Sequence, residues 1–210
     1  MKEFYTIEKN VETEIVVKKS KFIANIFYIS TNKEAEEKIK EIKKKYFDAR
    51  HNCFSYRVVE NDNIIEKASD DGEPSGTAGG PMLNILQKNN LANILIVVTR
   101  YFGGILLGTG GLVRAYSDAL LEALEKTSKV KMVSGLELEV TLSYNNFENF
   151  KYYCKNHEIN IISTNYNENI VCKIDMKLEK KVEFDRDYEN KRLNLMEYKE
   201  LNIKYIKKSI

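Results

Sequence analysis

Residues 5–30 alternate between apolar and polar side chains and are rich in Val, Ile, Phe and Tyr. This period of two predicts two β-strands with a break near Lys18–Lys21. Residues 31–47 change to a helical period, and Thr31 stands where an N-cap residue is expected. The apolar stripe of this helix consists of Ala35, Ile39, Ile42 and Phe47. The chain therefore opens with two strands followed by an amphipathic helix.

Five of the lysines in this helix lie toward its end, at positions 38, 40, 43, 44 and 45. They form either a nucleic-acid patch or an ordinary solvated helix face, and we favour the solvated face.

The next part of the chain alternates strands, loops and helices up to residue 135. Strands are predicted at 52–59 and 63–68, as a hairpin around residues 60–63, and at 93–102, where an aliphatic run is typical of a strand buried on both faces. Helices are predicted at 81–88, with Pro81 in the first turn, and at 112–127. Polar residues 69–80 and glycine-rich residues 103–111 form the loops between them, and residues 128–135 form a connector.

After Gly135 the chain contains no glycine or proline. The periodicity there predicts strand, helix, strand, strand, helix and strand. This β-α-β-β-α-β order is typical of a ferredoxin-like fold. We therefore predict an α+β protein with two domains, residues 1–131 and 132–210.

Composition and charge exclude several classes of protein. The 210 residues are 43% hydrophobic and 30% charged, with a net charge of +2, which is too small to indicate nucleic-acid binding by itself. Three dispersed cysteines and two histidines predict neither a disulfide framework nor a metal site, and we expect no cofactor. No segment resembles a signal peptide or a membrane helix, so we expect a cytoplasmic protein that does not bind membranes.

Nine of the ten glycines and both prolines lie between Gly72 and Gly111, in two blocks. Glycine is favoured where φ is positive or where another group approaches the backbone closely. The first block, residues 69–81, ends at a predicted helix N-terminus, which attracts anions. Its candidate ligand-binding residues are Asp70, Asp71, Glu73, Ser75 and Thr77. The three carboxylates could instead cap neighbouring elements and pair with Arg100 or Arg114.

The second block, residues 99–116, has the order strand, glycine loop, helix, which can hold a phosphate group at the helix N-terminus. It matches neither the Walker A pattern nor the dinucleotide fingerprint. It could accept an RNA backbone or another anion, or it could allow two backbones to pack closely. The candidate nucleic-acid-binding or ligand-binding residues are Arg100, Gly103, Gly104, Gly108, Thr109, Gly110, Gly111 and Arg114.

His51 and Cys53 fall on one face of the strand that begins near residue 51, together with Ser55 and Arg57. An imidazole near a thiol can favour a nucleophilic thiolate. Residues two apart on a strand are about 6–7 Å apart, however, which is long for direct proton transfer. A buried cysteine near a hydrogen-bonded histidine is the better interpretation, and we predict no catalytic residue.

Four motifs resemble the Impact protein family, in particular its bacterial two-domain members. They are KSKFIA (19–24), ARHNCFSYR (49–57), SDDGEPSGTAG (69–79) and VVTRYFGGILLGTGGLVRAYSDAL (97–120). The resemblance implies a first domain like ribosomal proteins and the fourth domain of elongation factor G, and no catalytic residues. Eukaryotic members have an additional N-terminal domain and modulate translation initiation by binding the activator of a starvation-sensing kinase. Leu106 stands where family members commonly have lysine.

The resemblance and the glycine loops together favour a non-enzymatic, translation-associated regulator that binds RNA or the ribosome. A protein-interaction module in stress or translation control is one alternative. A phosphate-ligand-binding enzyme is another, with a divalent ion on Asp70, Asp71 and Glu73 and phosphate on the amides of Gly110 and Gly111.

Overall fold

The computed structural model describes residues 3–60 and 63–208 and separates into two compact units. The N-terminal unit spans residues 4–130, and the C-terminal unit consists of Glu3 and residues 131–208. Both contain helices and sheets, which confirms the α+β prediction. None of the helices in the described ranges is long and apolar enough to cross a membrane.

The N-terminal unit places three helices on a five-stranded antiparallel sheet. The strands of this sheet are β2 (Val11–Val17), β3 (Ser20–Tyr28), β4 (His51–Glu60), β5 (Asn63–Ser69) and β6 (Ile94–Tyr101), and a further strand, β1 (Phe4–Ile7), lies outside it. The helices are α1 (Asn32–Lys45), α2 (Gly79–Lys88) and α3 (Gly108–Glu125). The sheet has the order β2-β3-β6-β4-β5. The predicted turn between β4 and β5 includes residues 61 and 62, which lie outside the described residues.

Apolar side chains cover both faces of this sheet. Helix α1 packs its buried Ala35, Ile39 and Ile42 against one face. Helices α2 and α3 pack against the other face, where Ile94, Ile96 and Val98 lie. Strand β6 is therefore buried on both faces, as its aliphatic run predicts. The Thr31 hydroxyl accepts the Glu34 N–H at 3.1 Å, which confirms the predicted N-cap of α1.

The C-terminal unit consists of a sheet with two helices. Its elements are β7 (Lys129–Leu142), α4 (Phe147–Asn156), β8 (Asn160–Tyr166), β9 (Ile170–Lys177), α5 (Lys181–Glu189) and β10 (Glu197–Lys207). The strands pair antiparallel in the order β10-β7-β9-β8. Phe150 of α4 and Phe184 of α5 are buried against inward-facing residues of β7 and β9, such as Leu138 and Ile174.

Three element predictions are wrong. Residues 4–28 form three strands, because residues 8–10 separate β1 from β2. Helix α3 begins at Gly108, so Gly108, Gly110 and Gly111 lie in its first turn. The predicted connector 128–135 is mostly β7, which includes Gly135. A Cβ at position 135 would lie only 2.7 Å from the Ile206 side chain, so a residue with a side chain would not fit there. The missing side chain leaves room for β10, so this glycine does not end the strand.

Candidate functional site

The carboxylate of Asp70 organises the first glycine-rich block. It accepts the backbone N–H groups of Gly76 at 2.8 Å, Ala78 at 2.9 Å and Gly79 at 2.8 Å. These donors include the start of α2, where unpaired N–H groups need acceptors. Partial burial raises the pKa of Asp70, but the three N–H donors outweigh it and hold the pKa below its usual value. Asp70 therefore caps α2.

Asp71 also has partners within the N-terminal unit. One carboxylate oxygen binds the Lys43 ammonium of α1 at 2.6 Å, and the other accepts the Asn52 N–H at 2.8 Å. Its backbone carbonyl contacts Nδ1 of His51 at 2.9 Å. The first block is thereby joined to α1 and to the start of β4.

Glu73 lies in the interior, in a network that reaches α3 and β6. Its Oε1 accepts Nη1 of Arg100 at 2.7 Å and the hydroxyl of Tyr116 at 2.9 Å. The Glu73 side chain is 3% exposed and that of Arg100 is 7% exposed. The guanidinium also lies 5.5 Å from the ring centroid of Phe22 and 5.6 Å from that of Phe102. This buried ion pair fixes the loop against the sheet.

These contacts agree with one of the two interpretations of residues 69–81, in which the carboxylates cap neighbouring elements and pair with cations inside the unit. Arg100 is the paired arginine, whereas Arg114 is exposed at the surface of α3. Thr77 is buried and donates to the Pro74 carbonyl at 2.6 Å, and Ser75 is exposed. Tyr116 is the third member of the network. The sequence pattern does not predict this role, because Tyr116 lies at an ordinary core position of the apolar helix face.

Cys53 lies on the same face of β4 as His51, but the two side chains have different partners. The thiol of Cys53 contacts the Asp70 carbonyl at 2.9 Å and the Tyr116 hydroxyl at 3.3 Å. Burial raises the pKa of this thiol to about 12. A thiolate is therefore disfavoured at neutral pH, and the arrangement matches the buried, structural cysteine favoured by the sequence.

The second glycine-rich block combines a close backbone contact with an open helix end. A Cβ on Gly103 would lie 2.0 Å from the carbonyl carbon of Lys19, so the loop rests on the turn between β2 and β3. By contrast, a Cβ on Gly110 would meet no atom within 4 Å. The φ angle of Gly110 is not positive, whereas Gly104 and Gly108 have φ values of 83° and 71°. Nothing within the described chain requires glycine at position 110.

The N-terminus of α3 has no side-chain cap. Three exposed cations for which the described residues supply no partner lie in the elements that flank this loop and helix. They are Lys18 and Lys19 of the β2–β3 turn, on which Gly103 rests, and Arg114, one helical turn after Gly110. Phe102 is 51% exposed and Leu106 is 83% exposed in the same loop. We call this the α3 face, defined by residues 18–19, 102–111 and 114.

Lys18 and Lys19 were missed as candidate site residues. The alternating pattern indicates only a strand break at these positions, although a Lys-Lys pair between two strands indicates an exposed hairpin turn. Both residues have positive φ, 45° and 66°, as such a tight turn requires. In α1, by contrast, Lys38, Lys43 and Lys45 pair with carboxylates, which supports the solvated-face interpretation.

Two kinds of comparison, with models of protein families and with individual proteins, match this chain. A sequence model of the Impact N-terminal domain matches residues 18–124. The IMPACT family member YvyE of Bacillus subtilis is 51% identical over 128 residues, 61% of this chain and 58% of that protein, so the match spans less than two thirds of the relative. An IMPACT family member of Haemophilus influenzae is 36% identical over 81% of this chain and 83% of its own length.

A crystal structure described as that of a hypothetical protein also matches. It covers 96% of this chain and 98% of its own, with 28% sequence identity and a TM-score of 0.63. The two chains share a fold.

Proposed function

This chain belongs to the Impact family, and from that premise we propose that it is a non-enzymatic, translation-associated factor that contacts RNA or the ribosome through its α3 face. The observation that carries the proposal is the uncapped N-terminus of α3, together with the exposed, unpaired Arg114 of α3 and the Lys18–Lys19 turn that contacts Gly103 of the preceding loop. A helix N-terminus and nearby cations are the groups that bind phosphate. The Impact resemblance implies the link to translation, and we propose a cytoplasmic location with it.

The N-terminal unit would then correspond to the ribosomal-protein-like domain, and the C-terminal unit to the ferredoxin-like domain. The strand order β10-β7-β9-β8, with two helices, supports the second assignment. We leave Asp70, Asp71, Glu73 and Arg100 out of the contact surface, since their side chains already have internal partners. The same partners weaken the alternative of a divalent ion on these carboxylates.

Exposed Phe102 fits this use of the α3 face, because aromatic rings stack with unpaired bases. The exposed Ile105 and Leu106 favour a second candidate, a protein-interaction surface on the same loop. Binding to apolar protein surface depends weakly on salt, whereas phosphate binding releases counterions and weakens steeply as salt rises. Salt dependence therefore separates the two.

The test compares two double variants in binding to purified ribosomes and to a single-stranded oligoribonucleotide over a range of salt concentrations. Lys19→Asn with Arg114→Ala removes two charges from the α3 face, and asparagine tolerates the positive φ of residue 19. Lys40→Ala with Lys44→Ala removes two charges from α1, on the opposite side of the sheet. Each lost phosphate contact should reduce the slope of log K against log salt by about 0.7.

We expect the first variant to bind more weakly and with a slope less steep by about 1.4, and the α1 variant to bind like the wild type. Equal weakening by both variants would show only a general effect of net charge. An affinity that does not change with salt concentration and is lost in Leu106→Ser would favour the protein-interaction function instead.

A further inference from the structure

A second group of polar side chains lies in the C-terminal unit, where α4 ends beside α5. Ligand atoms of His157, Glu183 and Asp187 all lie within 4.8 Å of one another. Among residues 3–60 and 63–208, no other group of three His, Cys, Asp or Glu side chains has its ligand atoms this close together. It is far along the chain from the α3 face and has no part in the proposed RNA contact.

The histidine is oriented as metal-binding histidines commonly are. Nδ1 of His157 contacts the Tyr153 carbonyl, one helical turn earlier, at 2.9 Å. A carbonyl only accepts hydrogen bonds, so Nδ1 carries the proton and the lone pair of the neutral ring is at Nε2. The Tyr153 ring stacks on the imidazole with centroids 3.8 Å apart, which restricts its rotation. A hydrogen bond from one ring nitrogen to a carbonyl is the usual support of a histidine ligand.

The free nitrogen faces carboxylates. Nε2 of His157 lies 3.8 Å from Oε1 of Glu183, which is too far for a hydrogen bond. Two ligands bound to one tetrahedral zinc at about 2.1 Å are about 3.4 Å apart, so small side-chain rotations would place an ion between them. A lone pair that faces an anionic oxygen is repulsive unless Nε2 is protonated or a metal cation lies between the two.

Asp187 completes the group from the same face of α5, one turn after Glu183. Its side chain is 6% exposed, and Oδ2 accepts the Tyr153 hydroxyl at 3.0 Å. Oδ1 has a long contact of 3.3 Å to the exposed Arg192. The other oxygen of Glu183 has a similar 3.3 Å contact with Lys180. Glu183 is thus held at one oxygen by Lys180 and presents the other to His157. Both oxygens of Asp187 have a neighbour, and one of them lies within 4.8 Å of the other two ligand atoms.

We propose that His157, Glu183 and Asp187 form a site for a divalent transition-metal ion of the Zn²⁺ class. One imidazole and two carboxylates suit such an ion, whereas Mg²⁺ prefers oxygen ligands alone. Three protein ligands leave a position open to water. The ion would link the end of α4 to α5 and stabilise the C-terminal unit. The sequence analysis predicts no metal site because these three residues are not at metal-ligand spacing along the chain, and spacing along the chain does not show that the fold brings them together.

The test is a titration of the full-length, chelator-treated protein with Zn²⁺ and, separately, with Mg²⁺, followed by calorimetry. Glu183→Gln removes a ligand and keeps the side-chain shape, and His157→Gln removes the imidazole. Glu189→Gln, at the exposed end of α5, is the matched control for charge, and His51→Gln controls for the only other histidine. A Co²⁺ spectrum, which shows intense charge-transfer bands only with thiolate ligands, checks the buried cysteines.

We expect saturable 1:1 binding of Zn²⁺, no comparable binding of Mg²⁺, and no thiolate bands with Co²⁺. Glu183→Gln and His157→Gln should each weaken Zn²⁺ binding at least tenfold, while the two controls bind like the wild type. Absence of saturable Zn²⁺ binding would overturn the proposal. So would wild-type affinity in Glu183→Gln, or thiolate bands that place the ion on cysteine. Circular dichroism of each variant shows whether the fold is retained.

Discussion

At the scale of single residues, the most conspicuous charges of the N-terminal unit are used inside it. Asp70, Asp71 and Glu73 lie close together in the sequence, yet each binds a different partner: the start of α2, Lys43 of α1, and Arg100 of β6. One short loop therefore joins elements from both faces of the sheet. Changes in these residues should act on stability before they act on any ligand.

Asp70→Asn should reduce the free energy of unfolding by about 1–2 kcal/mol at neutral pH, since it weakens a charged cap with three N–H donors. The pKa of Asp70 is lowered in the folded state, so its stabilisation is present above the unfolded-state pKa and is lost as pH falls through the folded-state pKa. Urea unfolding from about pH 7 to about pH 2.5 should show the difference from wild type shrinking.

Ser75→Ala is the matched control in the same loop, because Ser75 is exposed. It should change stability by less than about 0.5 kcal/mol at every pH. A gap between Asp70→Asn and wild type that stays constant down to low pH would contradict the capping role of the ionised carboxylate.

The buried pair Glu73–Arg100 should show strong coupling. Arg100→Met leaves an unpaired buried carboxylate and Glu73→Gln an unpaired buried guanidinium, and each should cost about 3 kcal/mol or more. The double variant should cost less than the sum of the two, since it leaves no unpaired charge. A double-mutant cycle by urea unfolding measures this, and additive costs would argue against the pair.

At the scale of elements, the glycines of the 103–108 loop and of the first turn of α3 occupy their positions for different structural reasons. Gly103 lacks a side chain because the β2–β3 turn occupies the space. Gly104 and Gly108 adopt positive φ, where a Cβ is unfavourable. Gly110 satisfies neither condition, although glycine lowers the stability of a helix. A close approach by another molecule would explain it, which agrees with the proposed contact at the α3 face.

Gly110→Ala should therefore raise the free energy of unfolding by up to about 1 kcal/mol, the helix propensity difference, while weakening RNA or ribosome binding. Gly103→Ala should lower it by about 1–3 kcal/mol, because the new methyl group would overlap the Lys19 backbone. Thermal unfolding of both variants beside the wild type is the measurement. A destabilised Gly110→Ala would mean that the fold itself requires this glycine.

At the scale of the whole molecule, the proposed RNA contact and the proposed metal site belong to different units. Every residue of the α3 face lies within 4–130, and His157, Glu183 and Asp187 lie within 131–208. The two proposals can therefore fail independently.

A chain ending after Val130 should fold and should bind RNA with the affinity and salt dependence of the full-length protein. The reason is that the N-terminal unit has its own apolar clusters on both faces of its sheet. Circular dichroism checks the fold, and the binding titration described above checks the contact. A folded fragment that no longer binds would place essential contacts in the C-terminal unit.

Features that depend on short-range periodicity follow from the sequence alone. The alternation in β4 correctly places Cys53 and Ser55 on one face of the strand, and the aliphatic run correctly predicts a β6 buried on both faces. The predicted β-α-β-β-α-β order is found in β7, α4, β8, β9, α5 and β10, and the capped start of α1 is confirmed. The quoted motifs correctly indicated the Impact family. Each of these follows from a few neighbouring residues, because strand and helix periods and motif identity are local properties.

Which side chains contact one another depends on the packing of the elements. Glu73 pairs with Arg100 and not with Arg114, Lys19 lies beneath Gly103, and His157 faces Glu183 and Asp187. Gly135 continues a strand because Ile206, at the other end of its unit, fills the space beside it. These contacts join residues far apart in sequence, and hydrogen bonds and steric exclusion act over a few ångströms in space. Their partners depend on how the elements pack, which local patterns do not specify.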